Sequence, residues 1–324
     1  MTISDNSKDL AIGIDIGGTS TKFGIVDHRG NIIEQGDMST RDHATPEDFV
    51  DELFKCLEPI ITRAGMDNIK GIGIGAPNGN FYKGTIEYAP NLEWEGIIHL
   101  TDLVTERFKL PSSLTNDANA AAVGEAMYGA ARGIMDFIMI TLGTGVGSGI
   151  IANGQLIYGH DGFAGELGHT IIIPGGRDHW GTHMKGSLEA YCSATGVRLT
   201  ALEIMQLNPG KKSLMADVPA DQLDSRVVYE CAIKGDELAI EVYRFTGEIL
   251  GKALANFVMF SSPEAIILFG GLCKAGKLIL DPTRKHMEEN LLPIFQNKIK
   301  LIFSELKESD AAILGASALV WEMK

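Results

Sequence analysis

The sequence has only four cysteines among 324 residues, and no two of them form a Cys-x-x-Cys pair. Scattered thiols of this kind disfavour a disulfide framework and are typical of reduced cysteines in a cytosolic protein. We expect all four to lie in or near the core: Cys56, Cys192, Cys231 and Cys273. No apolar run is long enough to span a membrane, and the opening residues MTISDNSKDL lack the basic and apolar regions of a signal peptide. The sequence therefore predicts a cytoplasmic protein with no membrane partner.

Basic charge is scarce as well. Acidic residues outnumber basic ones by 42 to 28, which gives a net charge of -14. This balance disfavours nucleic acid and anionic membranes as main partners, and an anionic small molecule would need backbone amides or a metal cation to bind.

The length suits two domains, yet no proline-rich or serine-rich linker separates them. Any domain boundary must therefore be a hinge inside a compact body.

The first elements show clear strand and helix patterns. Residues 10 to 35 predict two strands joined by turns, with a hairpin turn at Asp27–Gly30 between alternating apolar runs. The segment ATPEDFVDELFKCLEPIITRAG predicts a helix that Thr45 caps, that has Pro46 at its first position and that ends at Gly65. Its apolar stripe consists of Phe49, Leu53, Leu57, Ile60 and Ile61.

A glycine-rich turn between two strands occurs twice, as DIGGTSTK and, about 125 residues later, as TLGTGVGSG. A duplicated α/β unit with a ligand between its halves would produce this echo. Between the two turns, IKGIGIGAP predicts a buried strand, and SSLTNDANAAAVGEAMYGAARG predicts a strand that turns into a helix at Asn116 or Asp117. The part after residue 195 predicts mostly helices, apart from the strand EAIILFGG and the closing helix AAILGASALVWEM.

The glycine-rich turns are candidate phosphate sites. Glycines let backbone N–H groups approach a phosphate, a threonine hydroxyl can add a hydrogen bond, and Asp15 can hold Mg²⁺ through water. A third glycine turn, LFGG, follows a later buried strand, and none of the turns matches a P-loop or a dinucleotide fingerprint. The candidate nucleotide-binding residues are Asp15, Gly17, Gly18, Thr19, Lys22, Thr144, Gly145, Gly270 and Gly271.

Three such turns in this order resemble the nucleotide-binding pattern of the actin-like ATPase and sugar-kinase superfamily. The resemblance implies a ribonuclease H-like α/β fold with two duplicated lobes around a central cleft. The first two hairpins would then clasp the phosphates of ATP, and the third turn would face the adenosine. We expect residues 1–116 and about 305–324 to form a small lobe with the first hairpin. Residues 117–304 would form a large lobe with the second hairpin, the sugar loop and the adenosine turn.

Further motifs narrow the resemblance. The segments GAPNGNFYKGTIEYAPNLEWEG, LTNDANAAAVGEA and GFAGELGH resemble the ROK family of bacterial sugar kinases and sugar-responsive repressors, over about residues 10–319 and closest to its glucokinase members. The resemblance implies ATP-dependent phosphorylation of a hexose at the 6-hydroxyl, with glucose expected. N-acetylglucosamine, N-acetylmannosamine, fructose and allose stay open as alternative acceptors, and polyphosphate stays open as an alternative donor. A homodimer or homotetramer is expected.

The acceptor site can be described chemically. Asp117, at the start of a helix, can accept the proton of an attacking alcohol, and phosphoryl transfer asks little of its base because positioning and charge neutralisation dominate. Carboxylates, amides and imidazoles are the groups that bind several sugar hydroxyls at once. The residues that the resemblance assigns to the sugar are Gly79, Asn91, Asn116, Asp117, Glu166, His169 and Glu189.

The resemblance also implies a structural zinc, held by a histidine that matches His169 and by three cysteines of a C-x-C-G-x-x-G-C-L-E run. Trp180, Thr182 and Ser187 stand at the three cysteine positions. His179 and His183, with Asp178 or water, are the alternative partners for His169, but zinc sites without thiolates are weaker. We therefore expect no structural zinc. The loop would still deliver Glu189 and His169 to the sugar, held by packing of Trp180 and by hydrogen bonds.

The sequence disfavours two other functions, those of a sugar-responsive repressor and of a silent sugar-binding protein. ROK repressors carry an N-terminal helix-turn-helix domain, whereas the first strand here begins about ten residues into the chain and no basic face suits DNA. A catalytically silent sugar-binding protein is disfavoured because both Asp15 and Asp117 are present. The sequence thus predicts an enzyme whose ligands are a sugar and Mg·ATP.

Overall fold

The computed structural model describes residues 9–323. The strands are β1 (Leu10–Ile16), β2 (Ser20–Asp27), β3 (Ile32–Ser39), β4 (Ile69–Gly75), β5 (Gly79–Asn80), β6 (Thr85–Glu87), β7 (Ile97–Ile98), β8 (Ser112–Thr115), β9 (Phe137–Leu142), β10 (Val146–Ala152), β11 (Gln155–Leu156), β12 (Ala265–Phe269) and β13 (Lys300–Phe303). The helices are α1 (Pro46–Ala64), α2 (Leu100–Phe108), α3 (Asp117–Tyr128), α4 (Glu189–Cys192), α5 (Ala194–Leu207), α6 (Ser225–Ile233), α7 (Glu237–Ser261), α8 (Lys277–Glu289) and α9 (Ala311–Glu322).

Two five-stranded sheets repeat one topology. The first has the order β3-β2-β1-β4-β8, and the second has the order β11-β10-β9-β12-β13. In each, three antiparallel strands are followed by two strands parallel to the first of the three. Each glycine-rich turn joins the first two strands of its sheet. The duplication predicted from the two glycine-rich turns is therefore present in the fold.

Helices α3 and α9 connect the two sheets. Helix α9 packs on β1 and β4, helix α3 packs on β9 and β10, and the two helices pack on each other. Glycines allow the close approach of α9: a Cβ at Gly13 would lie 2.2 Å from the carbonyl oxygen of Ile313, and one at Gly73 would lie 1.9 Å from that of Ala316. The lobe boundaries expected from the sequence stay a prediction.

Most predicted elements appear at the expected places. Thr45 caps α1 by accepting a 3.1 Å hydrogen bond from the Asp48 N–H, and Gly65 ends the helix with φ 83°. The expected hairpin at Asp27–Gly30 separates β2 from β3. Cys192 and Cys231 are buried, and Cys56 and Cys273 are partly buried. Among the described residues, no helix is both long and apolar enough to cross a membrane.

Two features had no sequence prediction. A small sheet, β5-β6-β7, consists of strands of two or three residues, which are too short to show an alternating pattern. Helix α2 has only nine residues and three buried apolar side chains, so its periodicity is weak. Both lie between β4 and β8, and they lead the chain to the strand that ends just before Asp117.

Candidate active site

Two aspartates flank one glycine at the end of β4. Asp15 lies near the end of β1, where it pairs with Gly75 of β4. A Cβ at Gly75 would lie 3.5 Å from Asp15 Oδ1 and 3.8 Å from the Cα of Asp117. Because Gly75 has no side chain, the two acidic residues can approach each other at the carboxyl ends of parallel strands.

The electrostatics of this pair favour a bound cation. Burial and, after it, the negative charge of Asp117 raise the pKa of Asp15 to about 6, although Lys22 on the neighbouring strand opposes the rise. Burial also raises the pKa of Asp117, although the hydrogen bond from the Ala118 N–H lowers it. Two carboxylates that resist ionisation together would both be stabilised in the charged form by a divalent cation.

The turn from β8 into α3 fixes Asp117. Asn116 is the N-cap, and its Oδ1 accepts a 2.7 Å hydrogen bond from the Asn119 N–H. Asp117 Oδ1 accepts a 2.8 Å hydrogen bond from the Ala118 N–H, which orients its carboxylate in the first turn of the helix. The predicted strand-to-helix turn is therefore present: the side chain of Asn116 caps the helix, and Asp117 is exposed.

The first hairpin, between β1 and β2, is closed by a 3.1 Å hydrogen bond from the Gly17 N–H to the Ser20 carbonyl. A Cβ at Gly18 would lie 2.6 Å from the Asn91 carbonyl oxygen, so the Asn91 segment rests directly on this hairpin. Thr19 and Asn91 are exposed. The predicted phosphate turn and the predicted sugar asparagine are therefore neighbours.

The second hairpin contacts Glu189. In the turn, the Gly143 N–H donates to the Gly145 carbonyl at 3.0 Å, and Thr144 is exposed at the tip. The Val146 N–H donates to Glu189 Oε2 at 2.7 Å, and a Cβ at Gly145 would lie 2.5 Å from the same oxygen. A residue assigned to the sugar and a turn assigned to phosphate are thus in direct contact.

Two further predicted sugar residues, Glu166 and His169, lie beside each other, and Glu166 interacts with the charges of Asp117 and Glu189. Burial raises the pKa of Glu166; the charges of Asp117 and Glu189 also raise it, and His169 lowers it. The three carboxylates therefore lie near enough to interact. His169 Nε2 is 3.9 Å from Glu166 Oε2, and its Nδ1 is buried without a hydrogen-bond partner in the part of the chain that the structure describes.

Gly79 has a packing role. It is buried in β5, and a Cβ there would lie 2.4 Å from the Thr115 carbonyl oxygen. Thr115 immediately precedes Asn116 and Asp117. The structure therefore places Gly79 behind the strand that presents those residues, where only glycine permits the approach.

The third glycine turn lies beside a pocket. Gly270 has φ 106°, and a Cβ there would lie 2.5 Å from the Leu142 carbonyl oxygen, which brings this turn against the end of β9 and the second hairpin. Gly271 faces open space. The pocket beside it has a volume of about 400 Å³ and is lined by Ser225, Arg226, Tyr229, Glu230, Tyr243, Gly271, Leu272, Lys274 and Ala275. The α6 residues in this lining have no local sequence motif and were not predicted.

The loop before α4 is held differently from the prediction. The sequence predicts that packing of Trp180 holds this loop, but Trp180 is 42% exposed, and its indole packs on the ring of His179 with ring centroids 4.2 Å apart. The buried anchors are its neighbours. His179 is 3% exposed, and Arg177 donates to the Ala190 carbonyl at 2.7 Å and to Glu203 at 2.7 Å. The expected hydrogen bonds hold the loop, whereas the indole of Trp180 covers the His179 ring and does not bury the loop in the core.

The chain is similar in sequence to a known family and to relatives of known function. The sequence profile of the ROK family matches residues 11–323. The chain belongs to the ROK family. The glucokinase of Thermotoga maritima is 32% identical over 315 residues, which cover 96% of this chain and 97% of that protein. The glucokinase of Streptomyces coelicolor is 34% identical over 317 residues, covering 97% and 98% of the two chains.

A structure of a ROK family glucokinase from Streptomyces griseus, in complex with glucose and AMPPNP, has a TM-score of 0.79 against this chain at 33% identity. The match covers 97% of this chain and 100% of that one. The family and the α/β fold class of the actin-like ATPases, both predicted from the motifs, are therefore confirmed.

The zinc site of ROK proteins does not fit the residues of this chain. Trp180 offers an indole, Thr182 is hydrogen-bonded to His179 Nδ1, and Ser187 is fully buried beneath α4. His183 is exposed and lies 3.8 Å from the exposed Asp178, apart from the buried His179. Within residues 9–323, no three histidine, cysteine, aspartate or glutamate side chains are grouped to hold a metal. A closed four-ligand zinc site has no donor set here.

This difference predicts the result of metal removal. We expect the purified protein to contain far less than one zinc per chain. Treatment with a strong chelator, followed by dialysis into Mg²⁺ buffer, should leave the melting temperature and kcat/KM unchanged, because hydrogen bonds hold the loop. Elemental analysis and a thermal melt check both points. A stoichiometric zinc, or a large fall in melting temperature after chelation, would show that other donors bind the metal.

Proposed function

We propose that this ROK protein transfers the γ-phosphoryl group of ATP to the 6-hydroxyl of a hexose, with glucose as the substrate. The observation that carries the proposal is the pair of Asp15 and Asp117 around Gly75, beside two glycine-rich hairpins. The similarity to ROK glucokinases over nearly the whole chain supports it, and so does the relative with glucose and AMPPNP bound.

Asp117 is the proposed general base. One of its oxygens is oriented by the Ala118 N–H, and the other is free to accept the proton of the sugar hydroxyl. Desolvation by the surrounding protein atoms raises the pKa of this carboxyl, which makes it a stronger base than an aspartate with an ordinary pKa. The remaining requirement is that the hydroxyl and the phosphoryl group be held in line, which is the main task of a kinase site.

Asp15 is the proposed Mg²⁺ residue, acting through water. When bound, Mg²⁺ would neutralise charge on the phosphates of ATP. The residues present fit this role, because the pKa of Asp15 is raised first by burial and then by the negative charge of Asp117, and a cation would offset both effects. Lys22, opposite Asp15 on β2, adds a positive charge. The amides of Gly18 and Gly145, with the hydroxyls of Thr19 and Thr144, would cradle the phosphates, and Gly17, whose N–H closes the first hairpin, would shape that turn.

The nucleoside would lie in the pocket beside Gly271. Its volume of about 400 Å³ suits a base and part of a ribose, and Tyr229 and Arg226 can pack against a planar ring. Gly270, next to the lining residue Gly271, contacts the end of β9, and the second phosphate hairpin follows β9 directly. The sugar would lie on the other side of the phosphates, within reach of Asn91, Glu166, His169 and Glu189.

The two lobes, 1–116 with about 305–324 and 117–304, are proposed to close over the substrates. Closure would exclude water, which would otherwise hydrolyse ATP. A homodimer or homotetramer and a cytoplasmic location are proposed as well. Exposed apolar side chains such as Leu207 and Phe260 are available for contacts between subunits, and light scattering after gel filtration tests the assembly.

The proposed substrate predicts an order of specificity. In a coupled ADP-release assay with Mg·ATP, we expect kcat/KM for glucose to exceed that for N-acetylglucosamine and N-acetylmannosamine by about tenfold or more, a difference of about 1.4 kcal/mol in transition-state binding. Replacing ATP by polyphosphate tests the donor. If an N-acetylated sugar leads, the kinase mechanism stands and glucose is the wrong substrate. If no hexose is phosphorylated, the proposed function is wrong.

A further inference from the structure

His179 is a buried imidazole whose two nitrogens both make hydrogen bonds. The residue is 3% exposed, and the indole of Trp180 covers one face of its ring. Nε2 lies 2.6 Å from Glu189 Oε1. Nδ1 lies 3.2 Å from the Gly181 nitrogen, 3.0 Å from the Thr182 nitrogen and 3.1 Å from the Thr182 hydroxyl. The side chain thus joins the turn after it to the carboxylate of Glu189.

The network assigns the tautomer. The backbone N–H groups of Gly181 and Thr182 can only donate, so Nδ1 must present its lone pair to them. The ring proton is therefore on Nε2, where it points at Glu189 Oε1. His179 acts as a hydrogen-bond donor of fixed direction, because the hydrogen bonds from the turn, the packed indole and burial hold the ring in this orientation.

Glu189 is consequently held from two sides. Its Oε1 accepts from His179, and its Oε2 accepts from the Val146 N–H of the second hairpin at 2.7 Å. The side chain is only 14% exposed, and it begins the four-residue helix α4, which supplies little rigidity of its own. Each carboxylate oxygen keeps a further lone pair for a ligand hydroxyl. Two fixed donors thus set the direction in which the remaining lone pairs face the cleft.

We propose that His179 is a positioning residue for sugar binding, which aims the Glu189 carboxylate by donating its Nε2–H. This inference rests on the proposed function, because it takes Glu189 as a sugar ligand. His179 does this without a metal, by means of one imidazole whose other nitrogen is fixed by a turn. A ligand group that is already oriented loses less entropy when the sugar binds, so the contribution of His179 appears in sugar affinity.

Two substitutions distinguish the hydrogen bonds that the two nitrogens of the imidazole make. In His179→Asn, the amide oxygen can replace Nδ1 as acceptor for the turn, but no donor reaches Glu189. In His179→Gln, the longer amide can donate to Glu189, but the turn loses its acceptor. We expect His179→Asn to raise KM for glucose roughly tenfold, the size of one lost charge-assisted hydrogen bond, with kcat and KM for ATP little changed. His179→Gln should restore KM towards the wild-type value.

The same assay can also contradict the proposed role of His179. If His179 only stabilises the turn, His179→Gln will be the more impaired variant, or both variants will lose activity in proportion to their melting temperatures; either result overturns the inference. In a Glu189→Gln background, His179→Asn should have a much smaller effect on KM, and an undiminished effect would place its action elsewhere. If the wild-type protein turns over but His179→Gln is more impaired than His179→Asn, only the proposed role of His179 is refuted. Absence of wild-type turnover refutes the proposed function and this inference together.

Discussion

Replacement of Asp117 by asparagine is expected to lower kcat for glucose phosphorylation by a factor of about 10² to 10⁴, the usual contribution of a positioned general base. Asparagine keeps the acceptor for the Ala118 N–H, so the first turn of α3 stays intact. It cannot take the proton of the sugar hydroxyl. KM for glucose and for ATP should change much less than kcat, because the contacts that bind the substrates remain. The coupled ADP-release assay measures all three constants.

The same variant has an expected effect on stability that serves as its control. Burial disfavours the ionised carboxylate of Asp117, and its charge raises the pKa of Asp15. Removing this charge relieves the repulsion, so Asp117→Asn should melt at the wild-type temperature or above it. A variant that is stable and nearly inactive supports a catalytic role. A variant that keeps more than about a tenth of wild-type kcat would remove Asp117 as the base, since general bases contribute more than this.

Much of this fold was predictable because its signals are local. Thr45 and Pro46 before α1, Asn116 before α3 and the alternating runs on both sides of Asp27 each depend on neighbours in the chain. The duplication was predictable for a different reason. Each half needs glycines at the same turn, so the turn recurs in the sequence even though the strands around it differ.

The contacts in the site that the sequence does not predict join residues distant in the chain. Glu189 meets the amide of Val146 across 43 positions, and Gly79 packs on the carbonyl of Thr115. No local pattern signals either contact. Tyr229 lines the pocket from α6, where an aromatic side chain resembles any other amphipathic helix position. The position of His179, next to the positions where the family's cysteines are absent, marks it as a candidate in the sequence. Only the structure shows that it is a buried imidazole with hydrogen bonds and not a metal ligand.

Replacement of Gly73 by alanine is expected to lower the free energy of unfolding by about 3 kcal/mol, at the upper end of the range for overpacked positions. The added Cβ would lie 1.9 Å from the carbonyl oxygen of Ala316 and 2.8 Å from its carbonyl carbon. These are backbone atoms of α9, so no rotamer change can relieve the clash. Either α9 moves away from β1 and β4, or β4 bends and displaces Gly75 from its place between the two aspartates.

Gly210→Ala is the matched control, because a Cβ there meets nothing within 4 Å and the residue lies in a turn. It should change the unfolding free energy by no more than about 0.5 kcal/mol, as surface substitutions usually do. Urea unfolding followed by circular dichroism measures both variants. If Gly73→Ala is as stable as the control, α9 does not press on β4 in the way described. If it is destabilised and also loses kcat at a temperature where it stays folded, the position of β4 sets the geometry of Asp15 and Asp117.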